Sequence, residues 1–293
     1  MSDVATATKQ GSERLVVMGD DMLKVENVTL EDVVDKVILG DCLKVMEKLP
    51  AEIADVVFID PPYFLQLPPK KLVRWNVKTV VEGVNDKWDK FTSFEEYDEF
   101  IRKLLTGVKR IMKPNATVWC IGTYHNIFRV GKIMQDLGFW ILNDIVWIKT
   151  NPMPNWLGVR FTNATENLIW AVKSKNVKNY TFNKEYARKI GIDGKIGYNV
   201  WQIPICMGKE RLRDSSGQKI HSTQKPEALL ERVILTSSKE GDVVFDPVAG
   251  TGTTGYMAKK LNRHFIMIEI NKRYVNAIRK RFMENLGVLV NVM

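Results

Sequence analysis

Two stretches of this chain carry residue types at a spacing that suits chemistry on a ligand. The first is Asp55-Val-Val-Phe-Ile-Asp60-Pro61-Pro62-Tyr63. An apolar run ends in an acid, two prolines and an aromatic. Tandem prolines fix φ and remove backbone N–H donors, so the Pro61 carbonyl can point outward as an acceptor beside the Asp60 carboxylate. Two acceptors at one point suit an exocyclic amine, which presents two N–H donors. Tyr63 then offers a face on which a planar base can stack. An ordinary strand-ending turn has no need of this tetrapeptide.

The second stretch is Asp242-Val-Val-Phe-Asp246-Pro247-Val248-Ala249-Gly250-Thr251-Gly252-Thr253-Thr254-Gly255. A Gly-rich turn lets a ligand approach the backbone closely. Gly250, Gly252 and Gly255 spell G-x-G-x-x-G, and Glu269 ends the next apolar run at a distance suited to ribose hydroxyls. An NAD-dependent oxidoreductase is therefore one reading. A P-loop is excluded, because no Lys follows the glycines. Asp246-Pro247 ahead of the glycines is less usual for a dinucleotide, and an acid there can hold an ammonium group. S-adenosylmethionine carries both an ammonium and a ribose, for which Asp246 and Glu269 supply partners. Both cofactor readings stand at this level.

These motifs need a scaffold, and the pattern around them is α/β. Short apolar runs predict buried strands at Val37–Leu39, Val56–Ile59, Thr117–Ile121, Ile141–Ile148, Leu168–Val172, Val243–Phe245 and Phe265–Ile268. Ser93 is a candidate N-cap for a helix through Phe94, Tyr97, Ile101 and Leu105, with Pro114 marking its end. Further helices are predicted at Asn126–Leu137, Pro226–Ser237, Thr253–Leu261 and Asn271–Met283. Alternation of this kind gives an open, mostly parallel sheet with helices on both faces and ligands at the carboxyl ends of the strands. Phe64–Phe91 stands apart as a long loop, of the kind that is more often functional than idle.

The chain has 293 residues, of which 45% are hydrophobic and 26% charged, as in ordinary globular proteins with a sizeable core. No apolar run reaches the roughly 18 residues of a membrane span, and the polar start lacks a secretory h-region. Cys42, Cys120 and Cys206 lie far apart, which argues against a disulfide scaffold or a zinc site and for a reducing cytoplasm. The unusual quantity is a net charge of +9. Between Lys173 and Lys219 eleven Lys/Arg face four Asp/Glu, so +7 of that charge lies in one stretch interleaved with Tyr180, Phe182, Tyr186, Tyr198 and Trp201. A solvated, loop-rich insertion would look like this. So would a surface that meets phosphates and bases, with Lys184, Arg188, Lys209, Arg211 and Arg213 as contacts. Lys70, Arg74 and Trp88 in the long loop form a second candidate contact.

Asp-Pro-Pro-Tyr followed by Asp-Pro-x-x-Gly-x-Gly-Thr-Thr resembles the β group of amino-methyltransferases that act on DNA bases. The runs Tyr124–Val130, Leu137–Trp147, Asn151–Asn155 and His221–Leu230 resemble the CcrM/HinfI-type adenine methyltransferases, which modify the adenine of GANTC. The likeness spans roughly Asp35 to Arg281. It implies a Rossmann-like S-adenosylmethionine-dependent methyltransferase fold, a circularly permuted seven-stranded sheet, acting on double-stranded DNA as a homodimer without metal. Carried over by motif, Asp60, Pro61, Pro62 and Tyr63 are catalytic. Asp246, Pro247, Gly250, Gly252, Thr253, Thr254 and Glu269 form the cofactor loop and ribose acceptor. Thr223 and Lys225 sit near the methionine carboxylate, and Asp41 with Cys42 approaches the cofactor's adenine, although Asp41 also reads as a helix N-cap. The domains expected are an extension over 1–31, a catalytic half over 32–172, a basic target-recognition insertion over 173–220 and a cofactor half over 221–293.

This chain departs from the pattern in three places. Ser222 replaces a proline, Val248-Ala249 replaces a bulkier aromatic pair, and the family's extra C-terminal DNA-contacting domain is expected to be missing after Met293. Cytosine C5 chemistry is disfavoured, because it needs a nucleophilic Cys in a loop, usually after a proline. N4-cytosine methylation is the nearest rival, since the amine chemistry is shared.

Overall fold

A computed structural model describes residues 27–65, 89–155 and 158–293, and the backbone of 72–73 and 80–81. In chain order the elements are α1 (Leu30–Val33), β1 (Lys36–Leu39), α2 (Cys42–Lys48), β2 (Ala54–Ile59), β3 (Leu72–Val73), β4 (Val80–Val81), α3 (Phe94–Ile111), β5 (Met112–Gly122) and α4 (Ile127–Asp136). They continue as β6 (Trp140–Lys149), β7 (Thr165–Val172), α5 (Lys184–Lys189), β8 (Val200–Ile203), α6 (Glu227–Ser237), β9 (Val243–Asp246), α7 (Thr253–Lys260), β10 (His264–Glu269), α8 (Lys272–Leu286) and β11 (Asn291–Val292). All seven strands expected from the apolar runs are present, and each expected helix falls within a few residues of its predicted span.

The main sheet runs β11-β1-β10-β9-β2-β5-β7-β6-β8. It is parallel except at β7, which lies antiparallel to both β5 and β6. The sheet thus has nine strands, the seven expected ones plus a short edge strand on each side. β8 falls inside the basic stretch 173–220 and pairs parallel with β6, from Val146↔Val200 to Lys149↔Ile203. That segment therefore contributes an edge strand to the sheet, while most of its other residues are irregular. The long loop after β2 also holds a paired element, β3 with β4.

Alternation along the strands sends side chains to two cores. Ile38, Val57, Val118, Phe245 and Ile266 pack with α2, α3 and α4 through Met46, Tyr97, Leu104 and Val130. Val37, Val56, Trp119, Val244 and Met267 pack on the other face with α6, α7 and α8 through Val233, Met257 and Phe282. In the second core Trp119 stacks on Trp170 at 4.9 Å and meets Trp201 of β8 at 5.7 Å. Ser93 caps α3, its hydroxyl accepting from Glu96 N at 3.2 Å, as its sequence position predicts.

The topology has one decisive consequence. β2 and β9 are neighbours, pairing Val56↔Val244 and Val57↔Phe245. Two segments almost two hundred residues apart in sequence therefore end side by side. The Asp60 and Asp246 motifs leave the same edge of the sheet.

Candidate functional site

The carboxyl ends of β2, β9 and β10, together with residues 221–225, enclose a cavity of about 290 Å³. Asp41, Cys42, Asp60, Pro61, Pro62, Tyr63, Thr223, Lys225, Asp246, Pro247, Gly250, Thr253, Thr254 and Glu269 all line it. The sequence-predicted catalytic and cofactor residues are thus brought into one space. Of the predicted cofactor residues, Gly252 does not line it.

At the β2 end, the Tyr63 hydroxyl donates to Asp60 Oδ1 at 2.9 Å. Lys225 Nζ contacts Asp60 Oδ2 at 2.7 Å and lies 5.2 Å from the Tyr63 ring centroid, over its face. Burial pushes the Asp60 carboxyl up, and the Lys225 ammonium offsets only part of that rise. The turn is held from below: Asp89 accepts from Tyr63 N, Phe64 N and Leu65 N at 2.6, 2.7 and 2.9 Å. Phe64 sits in the left-handed region at φ 51°, and these bonds stabilise that conformation. Tyr97 from α3 donates to the Pro62 carbonyl at 2.8 Å, and Asn126 donates to the Tyr97 hydroxyl in turn at 3.1 Å.

The β9 end is built differently. Asp246 accepts from the Thr254 hydroxyl at 2.6 Å and from Val248 N at 3.0 Å. Burial pushes its pKa up to about 7. Glu269 accepts from Gly250 N and Asn271 N, each at 2.7 Å, and burial pushes it to about 7 as well. Gly252 adopts φ 70°, and a Cβ there would lie 2.8 Å from Ile278. Gly255 needs its missing side chain for another reason: a Cβ would lie 2.4 Å from Met267, so glycine lets α7 press onto β10. Beneath the loop, His221 accepts from Thr223 N at 3.1 Å, and burial lowers its pKa to about 3, so the ring is neutral.

Three of the predicted contact residues have partners within the chain. Lys225, expected beside the methionine carboxylate, lines the cavity with its ammonium turned to Asp60 and Glu166, its nearest counter-charges. Arg211, expected to meet DNA, donates to the carbonyls of Cys206, His221 and Ser222 at 2.7 to 3.3 Å, bracing the 221–225 segment. Arg213 donates to Gly217 O at 2.7 Å within its own turn. Lys184, Arg188 and Lys209 are exposed. Lys70, Arg74 and Trp88 lie outside the described residues. Asp41 is the N-cap of α2, accepting from Leu43 N at 2.8 Å, and it lines the cavity at the same time. Cys42 beside it also lines the cavity, and burial pushes its thiol up to about 12.

Sequence reasoning missed Glu166 and Lys149. Glu166, at the start of β7, lies 3.1 Å from the Tyr63 hydroxyl, whose single proton it shares with Asp60 Oδ1, and pairs with Lys149 at 2.7 Å. Burial alone would raise its pKa, but Lys225 and Lys149 outweigh that and hold it low. Asp89 was also missed as an anchor. An unexplained acid in an otherwise apolar strand was the only available signal for Glu166. A second cavity of about 420 Å³ opens beside this cluster, lined by Lys149, Glu166, Thr223 and Lys225 and rimmed by exposed Met153 and Phe161.

A family model described as DNA methylase matches residues 54–280. The type II methyltransferase M.HinfI of Haemophilus influenzae is 47% identical over 255 residues, covering 87% of this chain and 70% of the relative. The type II methyltransferase M2.DpnII of Streptococcus pneumoniae is 42% identical over 242 residues, covering 83% of this chain and 87% of the relative. Among solved structures, the M1.HpyAVI–SAM complex superposes with a TM-score of 0.60 at 25% identity, covering 84% of this chain and 98% of that one. The cytosine-N4-specific PvuII DNA methyltransferase reaches a TM-score of 0.65 at 20% identity, covering 85% and 86%, a likeness of fold alone.

Proposed function

This chain belongs to the N6/N4 DNA methylase family, and from that premise we propose that it transfers a methyl group from S-adenosylmethionine to N6 of adenine in double-stranded DNA, within GANTC. The observation that carries the reading is the meeting of the Asp60 and Asp246 strand ends in one cavity. The NAD reading of the Gly250–Gly255 turn falls with the family assignment.

The residues present fit the cofactor. Asp246 is a buried carboxylate held by a hydroxyl and an amide, and such a group gains most from a cation beside it. Glu269 sits at the end of the adjoining strand, where a ribose can donate to it. When bound, S-adenosylmethionine supplies a methyl group activated on a sulfonium. The chain's part is to present the amine. An adenine N6 lone pair is delocalised into the ring, which makes it a poor nucleophile. N–H donation to Asp60 and to the Pro61 carbonyl draws the nitrogen toward a pyramidal geometry and localises that lone pair. Alignment by Asp60, Tyr63 and the rigid proline pair supplies much of the rest, since orientation can contribute on the order of 7–11 kcal/mol. Leaving the DNA stack costs a few kcal/mol, which stacking on Tyr63 partly offsets.

Adenine is favoured over cytosine N4 by the acid at position 60, where cytosine enzymes of the resembling group lean to Ser. The GANTC target follows from the CcrM/HinfI-type resemblance, supported by 47% identity to M.HinfI. The exposed Lys209 and the apolar rim at Met153 and Phe161 suit a duplex held against the cavity mouth, whereas Lys184 and Arg188 lie toward the other end of α6, where Asn183 N donates to Thr236 O. A homodimer acting in a prokaryotic cytoplasm rests on the same resemblance, and sedimentation of the protein measures the first part. Among the described residues no helix is long and apolar enough to cross a membrane.

The deciding experiment is incubation with labelled S-adenosylmethionine and unmodified genomic DNA, followed by mapping of the modified positions. The expected result is N6-methyladenine in GANTC. Modified cytosine, or adenine in another context, would overturn the corresponding part of the proposal.

A further inference from the structure

Lys225, Asp60, Glu166 and Lys149 form a buried group of two cations and two carboxylates. Lys225, Glu166 and Lys149 have side chains only 7%, 10% and 15% exposed. Charges so deep must be matched, and here they balance. The arrangement is uneven, though. Lys225 Nζ is 2.7 Å from Asp60 Oδ2 but 3.8 Å from Glu166 Oε2. It also lies over the Tyr63 ring face, the surface that a stacked base would use. With Asp60 Oδ1 already accepting from the Tyr63 hydroxyl, the lysine holds both the remaining carboxylate oxygen and the stacking face.

We propose that Lys225 occupies the seat of the target amine in the resting enzyme and that the entering base displaces its ammonium onto Glu166, which acts as the positioning residue for that exchange. The inference rests on Asp60 and Tyr63 forming the amine seat. Glu166 is built to receive the lysine. Lys149 pins its Oε1 at 2.7 Å, so the carboxylate cannot swing away. Its Oε2 lies 3.1 Å from the Tyr63 hydroxyl at the ring's edge. A shift toward Glu166 therefore carries the ammonium from the face of the ring to its edge. The movement keeps the group neutral and uncovers Asp60 Oδ2 as an N6–H arrives to replace the lost contact. The exchange also keeps Asp60 Oδ2 paired until the base arrives.

The test compares Glu166→Gln, Lys225→Met and the double variant. The last keeps the buried charge balanced, with Asp60 against Lys149. Base entry is read in the absence of cofactor from the fluorescence of 2-aminopurine placed at the neighbouring N position of GANTC, beside an intact target adenine whose N6 amine can compete for Asp60, with the unaltered enzyme as the positive control. Methylation and cofactor affinity are measured separately. In Glu166→Gln the lysine has nowhere to go. Base entry and kcat/KM for DNA should then fall about tenfold, equivalent to ~1.4 kcal/mol, with cofactor affinity within about twofold of the starting value. Glu166→Asp should recover part of the loss. In the double variant, which lacks the occupant, base entry should return to at least the unaltered level. If Glu166→Gln leaves base entry unchanged, or the double variant is as impaired as Glu166→Gln, the exchange is wrong. If the unaltered enzyme shows no base entry at the target adenine, the failure lies with the proposed function instead.

Discussion

Asp60, whose side chain is 20% exposed, and Asp246, which is buried, both stand at strand ends, and their neighbours differ. Asp60 faces a cation and a phenol, while Asp246 faces only a hydroxyl and an amide. Replacing Asp60 by Ala removes the acceptor proposed for N6, so methyl transfer should fall by at least about a hundredfold, within the range of a lost transition-state contact. Cofactor affinity measured by calorimetry should stay nearly intact, and near-normal turnover would refute the assignment. Asp246 carries a pH prediction. Burial raises both Asp246 and Glu269 to about 7. Each acid holds its proton better in the folded state. Their contribution to stability is therefore complete below the ordinary carboxylate range and is lost as pH rises through 7. A cofactor ammonium favours the opposite, ionised form of Asp246. Affinity for S-adenosylmethionine should therefore rise between about pH 6 and pH 7.5, and Asp246→Asn should both weaken and flatten it. A pH-independent affinity in the unaltered protein would show that Asp246 does not face the ammonium.

At the scale of elements, the two strand-end turns are held by different means. The β9–α7 turn depends on small residues at close approach. Gly255→Val places atoms where Met267 already lies, and overpacking of that kind costs about 1–3 kcal/mol. Denaturant unfolding should show the loss, and unchanged stability would mean that α7 can shift. The turn after β2 depends instead on one distant acid. Asp89→Ala removes the acceptor of three backbone N–H groups, so kcat/KM for DNA should fall more than cofactor affinity does. Equal losses in both would show a general collapse of the pocket. Turn chemistry was legible for β9, whose glycines are contiguous with the strand. It was not legible for β2, because its anchor lies 26 residues from Tyr63 along the chain. β8 escaped notice for a related reason. Its buried Trp201 and Ile203 alternate with exposed Val200 and Gln202 over only four residues, too short for a period to stand out from a basic, aromatic stretch.

For the whole molecule, the charge of +9 is the property that DNA would feel first. Nine of the eleven basic residues between Lys173 and Lys219 are exposed, whereas Lys173 donates to Met112 O and Arg211 to internal carbonyls. They do not share one side of the fold: Asn183, the N-cap of α5, donates to Thr236 O at the end of α6 remote from Lys225, so a duplex at the cavity mouth meets only part of them. With about five contacts, the slope of log affinity for duplex DNA against log salt should be roughly −4 to −5. Removing Arg211 should harm folding of the 221–225 segment more than it changes that slope. A slope near zero would end the electrostatic argument. Pattern alone was enough to place the strands, the helices and both motifs, because buried strands must be apolar and a strand-end turn that meets a ligand needs particular residues in immediate succession. It was also enough to suggest an amine-accepting pocket beside a nucleoside-binding loop. Adjacency was another matter. That β2 lies against β9, that Glu166 and Lys149 stand behind Tyr63, and that Lys225 turns to Asp60 are consequences of strand order and shared burial. These bring together charges separated by up to 165 residues, with no local trace in the chain, and only the folded molecule decides which of them must neutralise one another.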